Sequence, residues 1–343
     1  MDRSERSPEA GVSVPQWTIV GQGLAGTCLA WELWKRGVSF LLADRESGGS
    51  SRMAAGLINP VTGKNFEPSA RIGEFLPEAM DFYHEVEAQI GGTIWHPLPV
   101  LRLAETETEW RKMVSKSTQP DVARWLANHG APLEVPGWIG AFELTGGGRL
   151  DTRVFLDESR EFFRWLGFYQ KSVVSPDDTT GNKIRCDGAA GLILGKYGRH
   201  RCAKGEILTL RASGWNETRI RAGAGGWLVP LGGGMFKAGS TYEWNELDER
   251  PTEAGKNRIL EIINRLGGGT FEVTAHEAGI RPILRGSEPQ IGPIGDRNWM
   301  FNALGSKGTL YAPGLASRLA RWLTEGIAPE PEVDFRNFSE NHE

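Results

Sequence analysis

Cysteine is scarce in this chain: Cys28, Cys186 and Cys202 are the three among 343 residues. They offer neither the paired spacing of a metal site nor a disulfide framework, which suits a reducing, cytoplasmic setting. No apolar run approaches the roughly 20 residues of a membrane-crossing helix. Basic excess is also missing. The formal charge is -4, whereas nucleic-acid binders carry a basic patch or stripe, so the expected partner is a small molecule rather than a nucleic acid. Six histidines are scattered without an HExxH pair, and no GxSxG occurs, which removes the usual signatures of zinc and serine hydrolases. Each histidine, His96 and His276 included, reads as structural or surface. Met1 to Gln16 is polar, contains Pro8 and Pro15 and lacks the apolar core of a signal peptide. It reads as a frayed tail, with the fold starting near Trp17.

What is present is glycine, placed in patterns. With 39% hydrophobic and 24% charged residues, the chain has the make-up of a soluble globular protein of two domains or one large composite. Thr18 to Asp44 reads as strand, turn, helix, strand. Gly21 allows the tight turn, Gly23 lets backbone approach a pyrophosphate, and Gly26 lets the helix pack on the strand. The helix start at Leu24 and Ala25 aims unpaired N–H groups and a positive dipole end at the phosphates. Gly37 ends the helix, Val38 to Leu42 forms the next strand, and Asp44 stands at its tip beside Arg45, where a carboxylate can hold ribose hydroxyls. A glycine-rich turn with a solvated aspartate is the bland alternative, and the register of all these features favours nucleotide binding.

A second run, Arg45 to Gly63, is too rich in Gly, Ser and Ala for an amphipathic helix, and by composition alone is equally a connecting loop. The spacing of Phe75, Ala79, Phe82, Val86 and Ile90 predicts a helix over Ile72 to Ile90. Further helices are expected over Glu105 to Ser115 and Asp121 to His129, and one from Asp151 to Gly167. Ile184 to Gly188 reads as a short strand and turn. Strands are expected at Gly205 to Leu210, Trp227 to Pro230 and Met235 to Tyr242, then a helix over Thr252 to Leu266. A last Gly-rich turn, Gly305-Ser306-Lys307-Gly308 with Thr309, opens a helix. Its dipole end and Lys307 are placed to stabilise negative charge on a bound ligand.

Ser51-Arg52-Met53-Ala54-Ala55-Gly56-Leu57-Ile58-Asn59-Pro60 and Gly279-Ile280-Arg281-Pro282 resemble segments of the FAD-dependent D-amino-acid oxidase and glycine oxidase family. The resemblance covers nearly the whole chain as scattered motifs. It implies an α/β fold with a Rossmann-like, glutathione-reductase-type FAD-binding domain from 15–72, 150–204 and 276–328. An α+β substrate domain with an antiparallel sheet would come from 73–149 and 205–275, leaving 1–14 and 329–343 as tails. FAD is the implied cofactor. Ser51 to Leu57 would lie beside the isoalloxazine, Gly188 would touch the cofactor, with Asp187 a departure from the family's Asn-Ala-x-Gly, and Tyr242 would line the substrate cavity. Arg281 would pair with the substrate carboxylate and lie against the flavin. Its planar fork suits two parallel hydrogen bonds. Ser306-Lys307 stands where many relatives have Gly-His-Gly. The implied reaction oxidises a carbon-nitrogen bond of an amino acid or secondary amine. Hydride passes to flavin N5, the imine hydrolyses, and O2 or another acceptor reoxidises the flavin. A monooxygenase or reductase on the same frame, or a module modifying tRNA wobble uridine, are the rival readings.

Overall fold

Residues 15–338 are described by the computed structural model, apart from 176, 179, 195, 196, 198, 199 and 287. The expected tail 1–14 and the end of the other, 339–343, lie outside them. Trp17–Val20 sits inside a six-stranded sheet ordered Tyr169–Lys171, Phe40–Asp44, Trp17–Val20, Lys183–Arg185, Asn298–Asn302, Gln290–Gly295. The first five are parallel and the last pairs antiparallel. Ile19, Leu42, Ile184 and Phe301 are buried in it, because strands covered on both faces carry apolar runs. The Leu24–Lys35 helix packs with Thr152–Trp165, where Trp31 stacks on Phe162 at 4.6 Å and donates to the Ser159 hydroxyl at 2.8 Å. Asp151 caps the second of these helices by accepting from Val154 N–H at 3.2 Å. After Phe40–Asp44 the chain leaves this sheet, returns to add Tyr169–Lys171 outside Phe40–Asp44, and then crosses to the other side of Trp17–Val20 with Lys183–Arg185. That reversal is a topological switch point, where ligands of open α/β sheets bind at the strand ends.

The second sheet has seven strands, ordered Glu272–Arg281, Ala203–Arg211, Met235–Gly239, Gly226–Gly232, Ile220–Gly223, Val100–Ala104, Gly140–Leu144. All pairs are antiparallel except Ile220–Gly223 with Val100–Ala104. One face buries Leu208, Leu210, Phe236 and Ala238 against Ile259, Ile262 and Ile263 of the Glu253–Leu266 helix. The other face looks toward the first sheet.

Several sequence expectations change here. The middle segment gives Val100–Ala104 and Gly140–Leu144 to this sheet, and the short strands Trp95–Pro97 and Gly148–Leu150 besides, where only helices were expected, because stretches of five residues or fewer do not declare their type. The helix expected over Glu105 to Ser115 spans Glu107–Ser117, since Thr106 is its cap, accepting from Glu109 N–H. The one expected over Asp121 to His129 is the short turn Pro120–Ala123, and His129 is left-handed at φ 54°. The strand from Met235 stops at Gly239 rather than Tyr242. Glu272–Arg281 is a single strand running across the boundary expected at 276. Beyond 329, Val333 is buried and accepts from Ile291 N–H at 2.9 Å, so this stretch packs on the sheet edge. Val333, Phe335 and Phe338 among acids and prolines are too few to set a periodicity.

The Gly308–Glu325 helix lies between the fingerprint helix and Ile72–Ile90. Gly314 makes the approach possible, since a Cβ there would collide with Glu78 and Phe75. Pro313 lacks the N–H that would bond the Thr309 carbonyl four residues earlier. The buried Tyr83 hydroxyl donates to that carbonyl at 2.8 Å instead.

Candidate functional site

A cavity of about 1400 Å³ lies between the two sheets, at the switch point. Small-ligand pockets run to roughly 300–1,000 Å³, so this one has room for a large cofactor and more. Every expected site residue lines it except Gly26. Gly26 is a packing position instead, where a Cβ would collide with the Gly21 carbonyl.

At one end, Gly21 is left-handed at φ 104°, and a Cβ on it would stand 2.5 Å from the Cys186 carbonyl oxygen. A Cβ on Gly23 would meet the Ser51 hydroxyl at 3.0 Å. That hydroxyl accepts from Leu24 N–H at 3.1 Å, capping a helix whose own N-cap is the glycine. Asp44 spends one oxygen on Gln22 N–H at 2.8 Å and the other on Glu46 N–H at 2.6 Å. An ionised carboxylate accepts at about four sites, so acceptor capacity remains for hydroxyls. The buried Gln22 side chain, absent from the sequence reading, donates to the Leu156 carbonyl at 2.6 Å and accepts from Arg160 at 2.9 Å. Gly188 is left-handed at φ 59°. Beside it, burial pushes the Asp187 carboxyl up to about 6, although Arg185 pulls it down and Asn302 donates to it at 3.1 Å.

The middle of the wall comes from the second and last Gly-rich segments. Arg45 donates to the Ser47 carbonyl. Arg52 is held by Asp157 through bonds of 2.6 and 3.0 Å. Met53 fits over Gly279, where a Cβ would meet its sulfur. Ala54, Ala55, Gly56 and Leu57 follow, and Gly56 at φ 63° lets Leu150 N–H reach its carbonyl at 2.9 Å. Beneath them the buried Lys237 donates to the carbonyls of Met53 at 2.8 Å and Ala54 at 3.1 Å, and burial pushes its pKa down to about 8. Nothing in the sequence marked this lysine. Opposite, Gly305, Ser306, Lys307, Gly308 and Thr309 line the cavity, and burial lowers the Lys307 pKa against the pull of Glu288.

Arg281 is nearly buried, in a seat that only glycine permits: a Cβ on Gly205 would collide with its guanidinium. The Tyr242 ring covers the other side at 4.0 Å, a cation–π distance. Nη2 donates to the Ser240 hydroxyl at 2.7 Å and the Thr241 carbonyl at 3.1 Å, and Nη1 to the Lys204 carbonyl at 3.4 Å. The expected free fork is therefore shared: Nε and one hydrogen of Nη1 remain. No carboxylate among the described residues pairs with Arg281. Ser240 and Gly205 were not anticipated, because they act by lying next to Arg281 across strands. His276 is bonded to Glu206 at 2.7 Å and is not on the cavity wall.

A split parallel sheet carrying a dinucleotide fingerprint at its switch point, facing a second sheet across a large cavity, defines a two-part nucleotide-dependent oxidoreductase. The model of the DAO family, FAD dependent oxidoreductase, matches residues 16–322, and the chain belongs to that family. FAD is its cofactor, and the walls fit it, with glycines at 21 and 23 on the wall, a capped helix start facing the cavity and spare acceptors on Asp44. The chain is 23% identical to glycine oxidase of Pseudomonas aeruginosa over 92% of its own length and 96% of the relative's. It is 24% identical to the tRNA 5-methylaminomethyl-2-thiouridine biosynthesis bifunctional protein of Marinobacter nauticus, over 88% of this chain but 54% of that one. It thus spans about half the length of those bifunctional relatives. Among solved structures, iminodiacetate oxidase of Chelativorans sp. matches with a TM-score of 0.76 at 19% identity, covering 92% of this chain and 97% of the other.

Proposed function

We propose that this FAD-dependent oxidoreductase oxidises a carbon-nitrogen bond of an amino acid or secondary amine. The observation that carries the proposal is Arg281, a nearly buried guanidinium on the cavity wall with donors to spare and no carboxylate partner among the described residues. Bound FAD supplies the two-electron chemistry, taking hydride from the carbon beside nitrogen and leaving an imine for water to hydrolyse. The protein's part is to hold and orient. Arg281 offers Nε and Nη1 to a substrate carboxylate, with the Ser240 hydroxyl as a third group in reach. Tyr242 covers the planar guanidinium from one side. Lys307 and the start of the Gly308–Glu325 helix put positive charge on the wall where a reduced cofactor would carry negative charge. O2 or another acceptor completes the cycle.

The test is anaerobic flavin reduction by an amino acid and by its decarboxylated amine. Wild type should strongly prefer the acid. Arg281→Ala should lose most of that preference, a loss of several kcal/mol in transition-state stabilisation, while keeping its FAD. Equal losses on both substrates, or loss of FAD, would make Arg281 structural. The bifunctional relatives support a second reading, in which the amine is carried on tRNA. Salt-sensitive tRNA binding would favour it.

A further inference from the structure

The acids on the cavity wall are engaged: Asp44 with turn amides, Asp248 with Lys204 at 2.6 Å, Glu249 with Gly49 N–H at 2.7 Å, Glu109 with Glu105 N–H at 2.8 Å. The cations are not all matched. Arg102, on Val100–Ala104, lines the cavity and has no ion pair among the described residues. Its Nη1 donates to the Ala222 carbonyl at 3.2 Å and Nη2 to the Gly63 carbonyl at 2.9 Å, while the buried Nε has no acceptor. Next to Gly63, exposed Lys64 lines the same arm, again without an ion pair among the described residues. A half-buried guanidinium with no ion pair is costly to keep: burial lowers the pKa of Arg102 against the pull of Glu109, a carboxylate on the same cavity wall.

Cross-strand register puts Arg102 on the cavity side, in a row with Ala222, Trp227, Gly239 and Ile207. Arg281 stands on the strand at the other side of the sheet, five strand steps away. At about 4.8 Å per step the two backbones are roughly 24 Å apart, too far for one small carboxylate to meet both side chains.

We propose that Arg102, with Lys64 beside it, is a second anion-recognition pole, so that the substrate is an extended amine carrying an anionic group remote from the carboxylate held at Arg281. This rests on the amine-oxidising reading above. The remote group is a carboxylate or a phosphate. Arg102 is a specificity residue and takes no part in the bond-breaking step.

The test uses the FAD-loaded protein with three matched amines: N-ethylglycine, N-(4-carboxybutyl)glycine and the same chain ending in phosphate. Wild type should show a KM at least about tenfold lower for a tailed amine, about the worth of one charge-assisted hydrogen bond, and the better tail identifies the anion. Arg102→Gln should erase that advantage while leaving kcat and N-ethylglycine unchanged. Lys64→Gln, at an exposed position, should erase part of it. Equal KM for tailed and untailed amines in wild type would overturn the proposal, as would an Arg102→Gln loss shared by all three. A non-oxidisable thioether, (4-carboxybutylthio)acetate, titrated by flavin difference spectrum separates the two ideas. If no amine reduces the flavin yet Arg102→Gln weakens thioether binding about tenfold, amine oxidation fails and the pole stands. Unchanged thioether affinity in Arg102→Gln overturns the pole.

Discussion

A branched side chain at Gly23 would occupy the space between the fingerprint turn and Ser51, where a pyrophosphate has to pass. Gly23→Val should therefore give a colourless protein, checked by the flavin absorbance of the purified variant against yellow wild type. If the Asp44 carboxylate holds the ribose end, Asp44→Ala should weaken FAD retention without changing the rate of flavin reduction. Equilibrium dialysis would show unaltered affinity if that role is wrong. Asp187 sets a pH dependence. Its carboxyl titrates near 6 in the fold against 3.8 for the ordinary group. Between those values the folded chain keeps a proton that the unfolded chain has released, so stability falls as pH rises through the window and levels off above 6. Asp187→Asn should then be the more stable form above pH 6, by up to about 2 kcal/mol, since each pK unit is worth about 1.4 kcal/mol and partial solvent contact reduces it. Urea unfolding of the apoprotein should show that gap at pH 7.5 and its shrinkage at pH 4.5. A gap independent of pH would assign the effect to packing.

At the scale of elements, the Gly308–Glu325 helix depends on a residue from another helix. Tyr83→Phe keeps the ring and removes only the donor that serves the Thr309 carbonyl, leaving a buried acceptor unmet at a cost of about 1–3 kcal/mol. Urea denaturation should report that loss with unchanged m-value. Elements with long periodic faces were legible beforehand: Ile72–Ile90 matches its expected span at both ends, and the strand-turn-helix around Gly21 is where it was read. Val100–Ala104 and Gly140–Leu144 were not legible, because each is a brief apolar run that becomes a strand only through its partners across the sheet. The site divided the same way. Arg281 stands in a local motif, while Gly205, Ser240, Gln22 and Lys237 act through contacts between distant segments, which no spacing along the chain encodes.

At the scale of the molecule, one ligand would touch segments from both sheets, so FAD should act as a tie. Ligand at about a thousand times its Kd adds about 4 kcal/mol to stability. Removing FAD should lower the melting temperature, and adding it back should restore the transition in a concentration-dependent way. A melting temperature indifferent to FAD would mean that the folded chain does not bind it in preference to the unfolded one.

The cavity's walls are also separated in time. Gly21 and Asp44 leave the ribosome well before Gly305 to Thr309, which complete the cavity. The central strand Trp17–Val20 likewise waits for Lys183–Arg185, and that strand for Asn298–Asn302. A nascent chain therefore carries an unfinished nucleotide site with exposed strand edges until those later segments emerge, and the cofactor can be fully enclosed only after them.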